Sequence, residues 1–376
     1  MTEIVKAKRP VDFLQLVPRL VGFRPAESLV LVAFTGKRTH AAMRFDLPVT
    51  DDPVELDAVA RHLVGLLCRV EGVDGLVPVV YTSAPLADAP VLLVELVARH
   101  AHLAGLTLKD AFCVAGDAWS RLPDGPRHPL AELGHDHPDL LDPAAELRIA
   151  DVPAEAKARF AATLVAWRTR PAGPGGRVHG FVLAEPGASF RRSGSFLDRA
   201  AEGLDTGPLI EGMLATHDDG EACPCLSALA AFAGSPGLAE HLLLHIGWGP
   251  AFGDRVRRSW LERGEDDALA AAALDGGEIG RPSVPRIEAA LNAVRGALAH
   301  LEPAARAPLA ACAAWLEWAL GRGSLAGDFV DLALATDPTH PLALALGVKR
   351  RRGELPEWAF REEPGLSLEQ QVRRIA

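Results

Sequence analysis

The sequence predicts an α/β domain with a mixed sheet over residues 1–150, followed by an all-α domain of helical hairpins over residues 151–376. Strand and helix patterns alternate in the first third of the chain. After a Gly- and Pro-rich break at 171–180, helical patterns prevail to the end. A length of 376 residues also exceeds one typical core, which favours two domains and leaves three as an alternative.

Each predicted element of the first domain has a local signal. A first helix, "DFLQLVPRLVG", ends at Gly22, a residue suited to the C′ position. A Gly-containing turn joins "SLVLVAF" to "HAAMRFDL" as a hairpin. The following segments read in turn as helix, buried strand, helix, and a last strand or hairpin: "DPVELDAVARHLVGLLCRV", "GLVPVVYTS", "APVLLVELVARHAHLAGL", and "LTLKDAFCVAG" with "DAWSRL". This order predicts a mixed sheet with helices packed on it.

The second domain ends in a pattern similar to tetratricopeptide helix pairs, which predicts such hairpins around 284–352. Ala326 and Ala333 lie seven residues apart on a predicted helix that Pro338 ends. Pro303 precedes Pro338 by 35 residues, close to the period of about 34 in these repeats. Trp315 does not fall where the repeat pattern places its tryptophan, so an ordinary helical hairpin remains an open alternative.

Composition and charge exclude several classes of function. A net charge of −10 disfavours nucleic acid as a partner, because phosphate backbones would be repelled. No stretch reaches about 18 uninterrupted apolar residues, so no membrane segment is predicted. Five cysteines are most simply reduced thiols, which predicts a cytoplasmic protein.

Four segments resemble one known family. They are "DFLQLVPRLVGFRPAESLVLVAF…RFDLP", "VVYTS", "GDAWSRL" and "AAWLEWALGRGSLAGDFVDLALATDPTHPLALAL". Together they resemble an uncharacterised family of actinobacterial proteins labelled a domain of unknown function. The resemblance implies actinobacterial origin and a cytoplasmic location, and it implies no established reaction. Family members often carry cysteines after the tryptophan of the third segment, whereas residues 119–150 contain none.

Metal and nucleophile motifs are incomplete. The sequence contains neither a G-x-S-x-G elbow nor a phosphate-binding Gly-Lys loop. The loop at 135–137 (His-Asp-His) lacks zinc-ligand spacing, and "HLLLH" at 241–245 lacks the glutamate of a zinc protease, so its histidines are expected on a helix surface. "HDDGEACPCL" offers Cys223 and Cys225 without a second cysteine pair, which leaves metal binding there open. No metal site and no cofactor is therefore predicted.

The remaining polar candidates lie at the sheet end and in the loop that enters it. Ligands of open α/β sheets bind at the carboxyl ends of strands, which selects Asp46, Thr82 and Ser83. In "GFRPAE", Arg24 and Glu27 are expected to pair across a turn and are kept as candidates. That loop follows a helix C-terminus, which has the wrong polarity for an anion and favours a structural joint.

Two functions follow as hypotheses. The leading one is a cytoplasmic interaction or scaffold module, with a protein or peptide bound in a groove of the C-terminal helices. The alternative is a small-molecule sensor, or an enzyme of unknown reaction, with its site at the strand ends of the α/β domain. Whether the protein is an enzyme stays open.

Overall fold

A six-stranded mixed sheet organises the first part of the chain in the computed structural model, which describes residues 7, 9–134, 147–168, 171–172, 177–178, 206–215, 224–234, 236–263 and 267–361. The chain divides into two compact units, Met1–Glu146 and Leu147–Ala376. The first unit is α/β and the second is rich in helices, as the sequence predicts.

The sheet of the α/β unit has the strand order β2-β1-β3-β5-β6, with β4 also paired to β3. β1 is antiparallel to β2 and β3, β5 is parallel to β3, and β6 is antiparallel to β5. The predicted hairpin is confirmed as β1–β2. The strands are β1 Ser28–Thr35, β2 Arg38–Asp46, β3 Gly75–Tyr81, β4 Thr107–Leu108, β5 Phe112–Val114 and β6 Trp119–Arg121.

Helices cover the sheet because its central strands are apolar on both faces. Every residue of β3 is buried, as are residues 28–33 of β1. Helix α1 (Pro10–Val21) places Leu14 and Val17 in one cluster with valines of β1 and β3. Helices α2 (Pro53–Leu67) and α3 (Val91–Leu103) pack against each other, and α3 also contacts β3 and β4. The predicted end of α1 is confirmed, since Gly22 is left-handed at φ +86° and donates its N–H to Pro18 O at 2.9 Å.

The second unit is helical, with its core formed by tryptophan, phenylalanine, leucine and many alanines. Its helices are α4 Ala154–Arg168, α5 Thr206–Ala215, α6 Pro224–Ala233, α7 Pro236–Trp248, α8 Pro250–Arg263, α9 Ala268–Asp275, α10 Val284–His300, α11 Ala307–Ala319, α12 Gly323–Thr336 and α13 Pro341–Arg351. Two short strands, β7 Pro171–Ala172 and β8 Arg177–Val178, form a separate pair. None of the helices in the described ranges combines the length and the apolar character that a membrane crossing requires.

Four indoles in this core form the same kind of hydrogen bond. Each donates its N–H to a backbone carbonyl: Trp248 to Gly280, Trp315 to Leu274, Trp318 to Glu354 and Trp358 to Ala319, at 2.7–3.0 Å. A buried indole therefore loses little by leaving water, because a partner replaces the solvent. Ala326 and Ala333 are both buried on α12, and the tetratricopeptide-like character of this segment stays a prediction.

Candidate functional site

One end of the sheet gathers the carboxyl ends of β2, β3 and β5 around the start of β1. Ser28, the first residue of β1, pairs with Asp46 of β2 on one side and with Tyr81 of β3 on the other. Tyr81 in turn pairs with Val114, the last residue of β5. Segments from three of the sequence motifs, "GFRPAESLVLVAF", "VVYTS" and "GDAWSRL", therefore meet at this end.

Glu27 ties three strands together just before β1 begins. Its carboxylate accepts hydrogen bonds from the backbone N–H of Ser83 at 2.6 Å and from the hydroxyl of Thr82 at 3.1 Å. Its carbonyl accepts from Leu47 N–H at 3.0 Å, beyond the end of β2. Its φ of +43° is the left-handed value rare for a residue with a side chain, and these bonds hold it there. Hydrogen bonds from Ser83, and a weaker one from Thr82, lower the pKa of Glu27, so its carboxylate is anionic at neutral pH.

The loops after β3 and β5 are fixed to each other. Gly116 donates its N–H to Ala84 O at 2.9 Å, and a Cβ at this position would overlap the carbonyl oxygen of Ser83. The carboxylate of Asp117 accepts from Leu86 N–H at 2.9 Å and from Arg127 at 2.6 Å. The bond from Leu86, followed by that from Arg127, lowers the pKa of Asp117. We call Glu27, Thr82, Ser83, Gly116 and Asp117 the strand-end network.

The structure brings three of the five predicted site residues into direct contact: Glu27, Thr82 and Ser83. Asp46 lies at the same sheet end but on the other side of β1, where it pairs with Arg44 at 2.5 Å. The pairing of Arg24 with Glu27 stays a prediction, and Arg24 is exposed in the segment before β1.

A second set of residues at this end was not found from the sequence. Ser28, Tyr81, Val114 and Trp119 are successive partners across four strands and therefore lie on one face of the sheet. Tyr81 and Trp119 belong to the same apolar cluster as α1 and are only 8% and 4% exposed. Among the described residues, the Tyr81 hydroxyl and the Trp119 indole N–H are buried without a hydrogen-bond partner. We call this set the Tyr81–Trp119 row.

The row offers neutral hydrogen-bond donors at a partly open position. Burial raises the pKa of the Tyr81 hydroxyl, which keeps it protonated as a donor. Val114 lies between Tyr81 and Trp119 and is only half-buried. His128 stacks on Trp119 with ring centroids 4.2 Å apart. A buried donor left without a partner costs about 1–3 kcal/mol, so the row is suited to a molecule that supplies acceptors.

The helical unit contains a buried pair of histidines, and the prediction that "HLLLH" lies on a helix surface is wrong. His241 and His245 of α7 are buried. His241 Nε2 lies 2.8 Å from Thr206 Oγ1, and His245 Nε2 lies 2.7 Å from a carboxylate oxygen of Glu211. The three leucines between them give α7 apolar residues on all sides, which is typical of a buried helix and is the signal that could have corrected the prediction.

Arg286 completes this histidine cluster. It donates two hydrogen bonds to the carboxylate of Glu211, at 2.7 and 3.0 Å, and two to the carbonyls of His245 and Ile246. Arg286, with help from His245, lowers the pKa of Glu211 to about 2. Burial lowers the pKa of His241 to about 4 and also lowers that of His245, so both imidazoles are neutral at pH 7. The imidazoles are closed to solvent and each bonds through its Nε2, whereas their Nδ1 atoms are buried without a hydrogen-bond partner among the described residues. The closure of the cluster favours a role in packing.

The cysteine and metal candidates contribute no site in the described ranges. Cys113 and Cys312 are buried, and burial raises the pKa of each thiol to about 12, so neither is a ready nucleophile. Within those ranges, no group of three His, Cys, Asp or Glu side chains is arranged to hold a metal ion. The loop at 135–137 and the segment from His217 to Cys223 lie outside the described residues.

The protein thus has two units. An α/β unit carries the polar strand-end network, and a helical unit follows it along the chain. Residues 10–129 match the family model described as Domain of unknown function (DUF4192). The match contains three of the four segments on which the resemblance is based, and the fourth lies outside it. The matched segment includes the whole strand-end network and the Tyr81–Trp119 row. No curated protein and no solved structure matches the chain.

Proposed function

We propose that the α/β unit binds a small molecule that offers hydrogen-bond acceptors, at the Tyr81–Trp119 row. The observation that supports this most directly is the pair of buried donors on one sheet face, each without a partner among the described residues. Carbonyl or carboxylate oxygens of a ligand would recover the hydrogen bonds that burial removes.

The position in the fold supports the same proposal. Tyr81 and Val114 of the row lie at the carboxyl ends of the parallel strands β3 and β5, where ligands of α/β sheets commonly bind. The α-carbons of Tyr81 and Trp119 are two strand spacings apart, about 10 Å, which is the width of a small metabolite. The strand-end network fixes the adjoining loops through Glu27 and Asp117 before any ligand arrives, and preorganisation lowers the entropic cost of binding. The proposal assigns a binding role and no reaction.

Native mass spectrometry tests the ligand. The protein, purified without denaturation, should carry an additional small mass. Tyr81→Phe removes one donor and keeps the ring, and Trp119→Phe removes the other donor and leaves a smaller ring. The double variant should release that mass. Trp248→Phe is the matched control, since its indole already has a partner, and it should retain the mass. A wild-type mass equal to the bare chain, or a mass retained by the double variant, would contradict the proposal.

We also propose that the helical unit binds a protein partner, which the outer side of α13 favours. Leu344 and Val348 are 45% and 36% exposed there, one helical turn apart. A photo-crosslinking amino acid in place of Leu344 should give one defined crosslinked product with a protein partner in the cells that express the chain. The same amino acid in place of Val284 should give none. Equal labelling from both positions would remove the support for this role.

A further inference from the structure

Helix α13 packs into the helical unit through one side only. Ala343, Leu346 and Gly347 are buried, and a Cβ at Gly347 would lie 3.6 Å from Cγ1 of Val330 on α12. Leu344, Ala345 and Val348 face the other way and are exposed. Positions i and i+4 are neighbours on a helix, so these side chains form one apolar stripe along the outer side.

The two ends of this stripe carry opposite charges. Arg351 and Arg352 continue it, seven and eight residues after Leu344, and both are exposed. Arg352 lies 3.4 Å from Glu354, whereas Arg351 forms no ion pair with the described residues. At the other end, Asp337 precedes the helix, and its carboxylate accepts hydrogen bonds from Thr339 at 2.7 and 2.9 Å.

We propose that a second copy of this chain binds here, through an antiparallel contact of α13 with the partner's α13 about a two-fold axis. With the axis level with Leu346, Leu344 lies opposite the partner's Val348, so the apolar stripes cover each other. Arg351 lies opposite the partner's Pro341. That residue follows the partner's Asp337 by four positions, so the arginine and the acid come to the same end of the contact.

The arrangement of charges along the stripe favours a second copy of the chain over an unrelated apolar partner. An apolar centre with an acid at one end and a base at the other is self-complementary only when the second helix runs in the opposite direction. That is the requirement for an isologous two-fold interface. Antiparallel helices also bring the positive end of one dipole beside the negative end of the other. The inference rests on the interaction role proposed for the helical unit and is independent of the ligand proposed for the sheet.

Sedimentation velocity of the full chain across the micromolar range tests the second copy. The wild-type chain should form a reversible dimer. Leu344→Glu or Val348→Glu should raise the dimer Kd at least about 100-fold, because a charge would be buried without a partner. Val284→Glu changes an equally exposed apolar residue at the start of α10 and should leave the Kd unchanged.

A charge exchange tests the orientation. Arg351→Glu and Asp337→Lys should each weaken the dimer several-fold, and the double variant should recover most of the loss. Circular dichroism establishes that each variant is folded. A wild-type chain that stays monomeric, or a Leu344→Glu variant with an unchanged Kd, would overturn the inference. The crosslink at Leu344 distinguishes failure of the dimer from failure of the proposed protein-binding role. An adduct of twice the chain mass supports the dimer, and an adduct of another mass supports protein binding but overturns the dimer. The absence of any adduct refutes both proposals.

Discussion

Acidification from pH 7 to pH 5 should destabilise the helical unit through His241. In the folded protein this imidazole is buried, and burial lowers its pKa from 6.5 to about 4. The unfolded chain therefore takes up a proton at a pH where the folded chain does not. Stability from this residue is present above pH 6.5 and is lost as the pH falls towards 4.

The magnitude follows from the two pKa values. Linkage of one such group predicts a loss of about 2 kcal/mol between pH 7 and pH 5, and about 3 kcal/mol by pH 4. His245 adds to the loss, since burial lowers its pKa as well. Glu211, whose pKa falls from 4.5 to about 2, loses its contribution mainly below this window. The interval from pH 7 to pH 5 therefore isolates the histidines.

Urea unfolding followed by tryptophan fluorescence measures this loss. Six of the seven tryptophans lie in residues 147–376, so the signal reports mainly the helical unit. His241→Gln removes the titrating group and keeps a polar side chain near Thr206, so the unfolding free energy should fall about 2 kcal/mol less than in the wild type over this interval. His102→Gln, at an exposed position of α3, is the control and should not change the pH dependence. The same pH dependence in wild type and His241→Gln would refute the assignment to this residue.

Variants at three further sites test buried or strained positions by thermal denaturation. Gly116→Ala should destabilise the α/β unit by about 1–3 kcal/mol, because its Cβ would overlap a backbone carbonyl. Glu27→Ala should be less stable than Glu27→Gly by about 1 kcal/mol, since both lose the carboxylate but only glycine tolerates φ +43°. Glu317 is fully buried beside Arg295 and Arg322. Replacing both arginines with leucine should cost about 3–5 kcal/mol of unfolding free energy, because the buried carboxylate would lose its partners. Glu317→Leu should cost far less, because it removes that buried charge.

The sequence was sufficient for the helices and strands of the α/β unit because the relevant signals are local. Alternation and a Gly-containing turn predict the β1–β2 hairpin, and Gly22 predicts the end of α1. Strand order requires long-range pairing, and the sequence specifies only a mixed sheet. The placement of β5 beside β3 depends on the path of α3 and could be seen only in the structure.

The candidate site was only partly predictable, for a different reason. Thr82 and Ser83 were found because they follow a buried strand, a property visible along the chain. Their contact with Glu27 depends on the register that sets Ser28 opposite Tyr81, which no local pattern specifies. Tyr81 was overlooked because an apolar strand normally buries its aromatic residues, and the sequence does not reveal whether a buried hydroxyl finds a partner.

Hydrogen bonding distinguishes the two carboxylates of the strand-end network from the donors of the proposed site. The carboxylates of Glu27 and Asp117 each accept two hydrogen bonds that hold loops in place, and removing these side chains should cost stability. Four indoles of the helical unit donate to carbonyls, whereas the N–H of Trp119 has no acceptor among the described residues. Removing a donor that has no partner should therefore not destabilise the bare chain, since no bond is lost and a desolvation cost disappears. Tyr81→Phe, which removes the unpartnered hydroxyl and keeps the ring, should thus retain the unfolding free energy while weakening ligand binding, a combination that a purely structural tyrosine would not give.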